Sequence, residues 1–259
     1  MPVSPPVRLA AMRAQIAALE AGTRTPTSIL AFGDSRIDDC LAGGGLPLGR
    51  WHELVGEGLE IETAIAPAAV AALMARPLAA KGAALWVFRR GDLHAPGLQG
   101  LGFAAQALIQ VQARDDAEAL AVMEDALGTQ GVSAVLGEVD AIDLTAGRRL
   151  QLACEKRGGT GFLIRRRPYG SMAGRTTQEG GSAAASRWRI APAPSRSPDE
   201  ALGLLGPPCW RVELERSRGG RPGAWILEQD ESHGPHALRV VADLAGGDLA
   251  AAEPVRRAG

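Results

Sequence analysis

Between Gly43 and Thr63 the chain sets out a glycine turn, a short apolar strand, another glycine and the start of a helix. The turn and strand read Gly43-Gly44-Gly45-Leu46-Pro47-Leu48-Gly49-Arg50-Trp51-His52-Glu53-Leu54-Val55-Gly56. They lead directly into Glu57-Gly58-Leu59-Glu60-Ile61-Glu62-Thr63. This is the layout of a phosphate-binding loop, in which a central strand feeds a helix through a tight turn. A working loop needs G-x-x-x-x-G-K-[ST], so that backbone N–H groups and a lysine face the phosphates. Counted from Gly56, Ile61 stands where the second glycine belongs and Glu62 where the lysine belongs; only Thr63 fits. A carboxylate in the place of the phosphate-binding cation repels a nucleotide. The sequence therefore combines a nucleotide-binding layout with residues unsuited to the nucleotide.

The rest of the pattern supports an α/β fold. Trp51 to Val55, Ala83 to Phe88, Leu108 to Ala113, Ala134 to Leu136 and Gly161 to Ile164 read as strands. Between them, helical patterns run over Ile61 to Ala75, Asp115 to Leu127 and Leu144 to Arg157, the last stopped by Gly158-Gly159. Strands alternating with helices imply right-handed βαβ units and a mainly parallel sheet. Later the period changes: Arg187 to Ala191, Trp210 to Glu215 and Ala224 to Glu228 read as strands, the last two forming a hairpin. A short strand is predicted at Leu238 to Val241 in an otherwise loose end. Upstream, Val7 to Ala21 has apolar residues at helical spacing and reads as an amphipathic helix, whose stripe packs on its own domain or on a partner. The expected organisation is an N-terminal helix and linker over 1–29, a core over 30–230 and a flexible tail over 231–259.

Composition narrows the function classes. At 259 residues with 46% apolar content the chain can bury one large core. A net charge of −1 gives no global attraction to nucleic acid or membrane. Lys81 and Lys156 are the only lysines, so the basic side chains are almost all arginine, a bias that a GC-rich genome produces. Cys40, Cys154 and Cys209 are far apart and lack C-x-x-C spacing, which predicts buried free thiols rather than a zinc site or a disulfide framework. No run approaches a membrane span of about 20 apolar residues, and a cytoplasmic protein is expected.

One segment stands out for binding. Arg165 to Ser186 is polar and rich in Gly, Ser and Thr, and reads as a long mobile loop of the kind that carries function. Arg165, Arg166, Arg167, Arg175, Arg187 and Arg189 lie along or beside it, together with Tyr169. Arginines can hold phosphates bidentately and a tyrosine can stack on a base, so single-stranded DNA is the candidate ligand. The competing reading is a solvated loop whose arginines reflect genomic bias. His233-x-x-His236 has ligand-like spacing but no further ligand, and is expected in a surface turn. His52-Glu53 on the strand is read as packing plus a turn bond.

These residues together resemble the RecA fold and, more closely, the ImuA family, RecA-related proteins of bacterial DNA-damage mutagenesis cassettes; SulA-like division inhibitors are relatives. Three stretches carry the resemblance, which runs from about Leu30 to Glu228. The first is Phe32-Gly33-Asp34-Ser35-Arg36-Ile37-Asp38 through Leu41-Ala42-Gly43-Gly44-Gly45-Leu46-Pro47-Leu48-Gly49. The second is Arg175-Thr176-Thr177-Gln178-Glu179-Gly180-Gly181 before Arg187-Trp188-Arg189-Ile190, similar to a RecA DNA-binding loop and the strand after it. The third is Arg211-Val212-Glu213-Leu214-Glu215-Arg216-Ser217-Arg218 with Pro222-Gly223-Ala224-Trp225, similar to a late RecA hairpin.

The resemblance also says where catalytic groups would stand. The water-activating carboxylate falls at the end of the strand closing in Phe88-Arg89-Arg90, where no acid is in register and Asp92 is displaced. The metal-side acid falls at Glu138, expected here as a helix- or loop-capping group. The γ-phosphate sensor falls at Arg165 or Arg166. No efficient ATP hydrolysis and no cofactor are expected. The resemblance implies a non-catalytic accessory factor of SOS mutagenesis, partnered by an inactive Y-family polymerase-like protein, an error-prone replicative-type polymerase and RecA. A SulA-like division inhibitor and a divergent DNA-dependent ATPase are the alternatives.

Overall fold

The computed structural model describes residues 28–57, 65–166, 183–195 and 205–244. The helix expected over Val7 to Ala21, and the positions Ile61, Glu62, Thr63, Arg167, Tyr169 and Arg175, lie outside the described residues.

The chain opens with β1 (Ile29–Leu30), α1 (Ser35–Asp38) and β2 (Leu46–Pro47), then runs through β3 (Trp51–Gly56), α2 (Ile65–Ala79), β4 (Ala83–Phe88) and α3 (Ala95–Gly100). It continues as β5 (Leu108–Gln112), α4 (Asp116–Leu127), β6 (Val132–Val139), α5 (Leu144–Arg157) and β7 (Thr160–Arg165). The last strands are β8 (Ser186–Ala193), β9 (Cys209–Ser217), β10 (Gly223–Gln229) and β11 (Leu238–Asp243). Strands β3 to β11 form one nine-stranded sheet, ordered β11-β10-β9-β8-β3-β7-β6-β4-β5. From β8 to β5 all neighbours are parallel; from β8 to β11 they are antiparallel. The fold is thus α/β, with a mainly parallel RecA-like core and a late antiparallel hairpin extended by one more strand.

The glycine turn exists for steric reasons. β1 pairs antiparallel with β2, with Ile29 opposite Pro47 and Leu30 opposite Leu46. To enter this pairing the chain turns through Gly43 and Gly44, both in the left-handed region at φ 80° and 82°. Gly45 then passes so close to β1 that a Cβ would lie 2.9 Å from the Ala31 nitrogen and the Leu30 carbonyl. Just before it, Asp38 accepts from Phe32 N at 2.8 Å and Gly33 N at 3.0 Å, closing the loop over α1.

Two apolar layers sandwich the sheet. α2 covers one face, where Val70, Ala71, Ala72, Leu73 and Met74 are sealed against Leu54, Trp86, Leu136, Phe162 and Trp188. α4 and α5 cover the other face of the parallel half, over Trp51, Val87, Val135 and Leu163. Both of these helices are capped as their sequences direct. Asp115 accepts from Glu118 N, Asp143 accepts from Ala146 N, and Gly158 ends α5 at φ 79°. The few aromatics are spent on the core: Trp51, Trp86, Trp188 and Trp225 are all sealed inside.

Three expectations are corrected here. The core does not stop at residue 230. β11 joins the sheet against β10, and His236, Ala237 and Leu238 are buried, because the turn at 230–237 folds back over Phe32. His236 therefore does not lie in a surface turn; its ring stacks on Phe32 with centroids 4.4 Å apart. Nor does Arg165 to Ser186 begin and end as loop, since Arg165 closes β7 and buried Ser186 opens β8.

Candidate functional site: the crest of the central strands

The parallel strands β3, β7, β6 and β4 end side by side, and their last residues put the sequence-predicted positions together. Gly56 ends β3 opposite Ile190 of β8, and Glu57 N continues the ladder to the Ile190 carbonyl at 3.0 Å. Glu138 sits at the end of β6, opposite Ile164 of β7, with Arg165 and Arg166 following. A strand buried on both faces accepts a charged residue only if that charge is paired. Glu53 and Glu138 are both such residues, about 1% and 3% exposed, and each has an arginine.

Glu138 caps neither a helix nor a loop. Its Oε1 accepts the indole N–H of Trp86 at 3.0 Å and its Oε2 accepts Arg166 Nη1 at 2.8 Å. Arg166 also forms a two-pronged pair with Asp92, at 3.1 and 2.7 Å. Burial alone would pull the Arg166 pKa down, but the bonds to Asp92 and Glu138 outweigh it and hold the guanidinium above its usual value. Asp92 is held below the usual carboxylate range chiefly by its hydrogen bond to Arg166. Asp92 and Glu138, the two acids nearest to catalytic positions, are thus both engaged by one arginine. Beside them Arg89, which follows β4, bonds Asp116 at 2.6 Å and Asp140 at 2.7 Å. Asp116 in turn accepts from the backbone N–H of Asp140 and Ala141. The strand ends and α4 are locked together by charge.

A second arginine system crosses toward the antiparallel half. Arg165 donates to Glu53 Oε1 at 3.1 Å and to the Asp140 carbonyl at 3.2 Å. Arg187 on β8 lies 4.0 Å from the other Glu53 oxygen and 2.9 Å from Glu215 on β9. Arg189 Nε donates to Glu215 at 2.6 Å and lies 4.0 Å from Glu213. Arg211 is 3.6 Å from both Glu213 and Glu57. The result is an unbroken alternation of sign from β7 through β3, β8 and β9 to the residue after β3.

The four predicted DNA-contact arginines that are described, Arg165, Arg166, Arg187 and Arg189, are thus brought together, but each faces carboxylates. The sequence reading passed over those carboxylates. A signal for them was present: Arg187 and Arg189 on one strand, and Arg211, Glu213 and Glu215 on the next, stand two residues apart and so share one sheet face. His52 behaves as expected of packing plus a turn bond. Its Nε2 donates to the Pro47 carbonyl at 2.9 Å, leaving Nδ1 to accept from Ser186 Oγ at 2.7 Å. The same hydroxyl accepts Trp188 Nε1 at 2.7 Å. Burial drives the His52 pKa down to about 4, so the ring is neutral.

The three cysteines are buried free thiols. Among the described residues no group of His, Cys, Asp and Glu is arranged to hold a metal ion, and no helix is long and apolar enough to cross a membrane.

No protein-family model matches the chain. Curated relatives do: proteins called Protein ImuA from two strains of Caulobacter vibrioides are each 62% identical to it over 245 residues. The match covers 93% of this chain and 100% of each relative. Likeness at that level over the full length of the relatives extends across the glycine turn, the crest of the strands and the late hairpin. The chain belongs to the ImuA family.

Proposed function

We propose that the protein is a non-catalytic, RecA-like accessory factor of damage-induced mutagenesis, serving translesion synthesis through its surfaces rather than through ATP turnover. Its partners are a Y-family polymerase-like protein and an error-prone replicative-type polymerase, with RecA as a further contact. Single-stranded DNA is met by the arginines around the segment between β7 and β8. The observation that supports this reading most is the state of the crest: both oxygens of Asp92 accept from Arg166, and those of Glu138 accept from Trp86 and Arg166. Carboxylates spent on neutralising arginines are poor bases and poor metal ligands, because both jobs need an oxygen free to take a proton or a cation. The Glu62 substitution points the same way, since it removes the cation that phosphates require.

Affinity capture of the full chain from DNA-damaged cells tests this role. Recovery of polymerase components or RecA is the expected result. Recovery of the tubulin-like division protein in their place would transfer the chain to the SulA-like role.

A further inference from the structure

The alternating charges fall into two classes by burial, and the difference has a functional consequence. Arg165 and Arg166 are only 14% and 11% exposed, and their partners Glu53 and Glu138 are sealed. Removing either partner leaves an uncompensated charge inside the protein, so these pairs are fixed. The outer members are more open to water: Arg189 is 39% exposed, Arg211 32%, Glu213 29%, Arg187 21% and Glu215 20%. Ion pairs that reach water are held less firmly than sealed ones and exchange partners more readily. β8 and β9 offer a guanidinium row whose counter-charges, Glu213 and Glu215, can be displaced by a stronger anion of matching geometry. A phosphodiester is such an anion, since guanidinium binds it bidentately as it does a carboxylate.

We infer that Glu213 and Glu215 are a counter-charge gate on nucleic-acid contact. A single-stranded phosphate backbone binds the β8–β9 face by taking Arg187, Arg189 and Arg211 from these two carboxylates, while Arg165 and Arg166 stay paired and hold the sheet together. The inference rests on the single-strand contact proposed above and names its regulation. It also accounts for a site of many arginines in a chain of net charge −1: the resting face is self-neutralised, and binding is weak until the carboxylates are turned away.

The test uses the full chain and a labelled oligothymidylate at low salt, with fluorescence anisotropy as readout and thermal melting to establish folding. E213Q/E215Q is expected to bind about tenfold more tightly than the wild type, the size set by removing the two counter-charges that Arg187, Arg189 and Arg211 share. E213Q alone, which leaves the shorter Glu215 contacts in place, is expected to shift affinity in the same direction by less. E118Q/E124Q makes the same change in net charge on α4, where those residues pair with Arg114 and Arg149, and is expected to leave binding unchanged. Equal tightening by both double variants would reduce the effect to net charge and overturn the gate. Wild-type binding with no tightening in E213Q/E215Q would overturn it as well. No binding by any of the proteins would overturn the single-strand reading itself.

Discussion

Gly45 is held to its identity by the Leu30–Ala31 peptide group. Its missing Cβ would meet the Leu30 carbonyl group and the Ala31 nitrogen at 2.9 Å, and backbone, unlike a side-chain tip, cannot swing aside. Gly45→Ala is expected to lower stability by about 1–3 kcal/mol, as overpacking does, read from urea unfolding. Gly91→Ala is the contrast, with open space where its Cβ would go and an expected change within about 0.5 kcal/mol. The buried histidines set a pH dependence. His52 and His236 are each lowered from 6.5 to about 4 by burial, so the unfolded chain takes up protons that the folded chain refuses. Their contribution is complete above about pH 6.5 and is lost as pH falls toward about 4, by up to about 3 kcal/mol per ring. Unfolding free energies measured from pH 7 to pH 4 should show this decline, and His236→Leu should remove about half of it.

At the scale of elements, the crest is a set of strand ends joined by ion pairs. Arg166 ties β7 to β6 through Glu138 and to the turn after β4 through Asp92. Arg166→Met should cost about 3–5 kcal/mol, because it leaves Glu138 buried and charged without its cation. Adding Glu138→Gln should recover part of that loss, since a neutral amide still accepts from Trp86; no recovery in the double variant would mean that the pair itself is unimportant. The strands of the main sheet and the helices α2, α4 and α5 were legible in the sequence to within a few residues, because their signals are local, whereas the β1–β2 pair was not. The Asp115 and Asp143 caps, the Gly158 stop and the alternation of apolar runs need no knowledge of tertiary structure. The partners of the arginines were not legible. Glu53 and Arg165 stand 112 residues apart and Arg166 and Asp92 stand 74 apart, and only the strand order brings them together. The packing of His236 on Phe32 was hidden for the same reason, and a Gly/Pro-rich stretch was read as surface because composition does not record what folds back on the core.

At the scale of the whole molecule, the RecA-like sheet is intact and the acids at its crest are engaged by arginines. The parallel order, the central β3 and the glycine turn before it are demanded by packing and pairing, so they persist whatever happens to the ligand. The acids at the crest serve the fold: one accepts from an indole and an arginine, another bridges two strands. The arginines of the β8–β9 face are paired with carboxylates rather than forming an open basic patch. The most direct test is a calorimetric titration of the full chain with magnesium-ATP, paired with a phosphate-release assay in the presence of single-stranded DNA. No binding heat and no turnover is the expected result; micromolar ATP affinity that disappears in Thr63→Ala would contradict it.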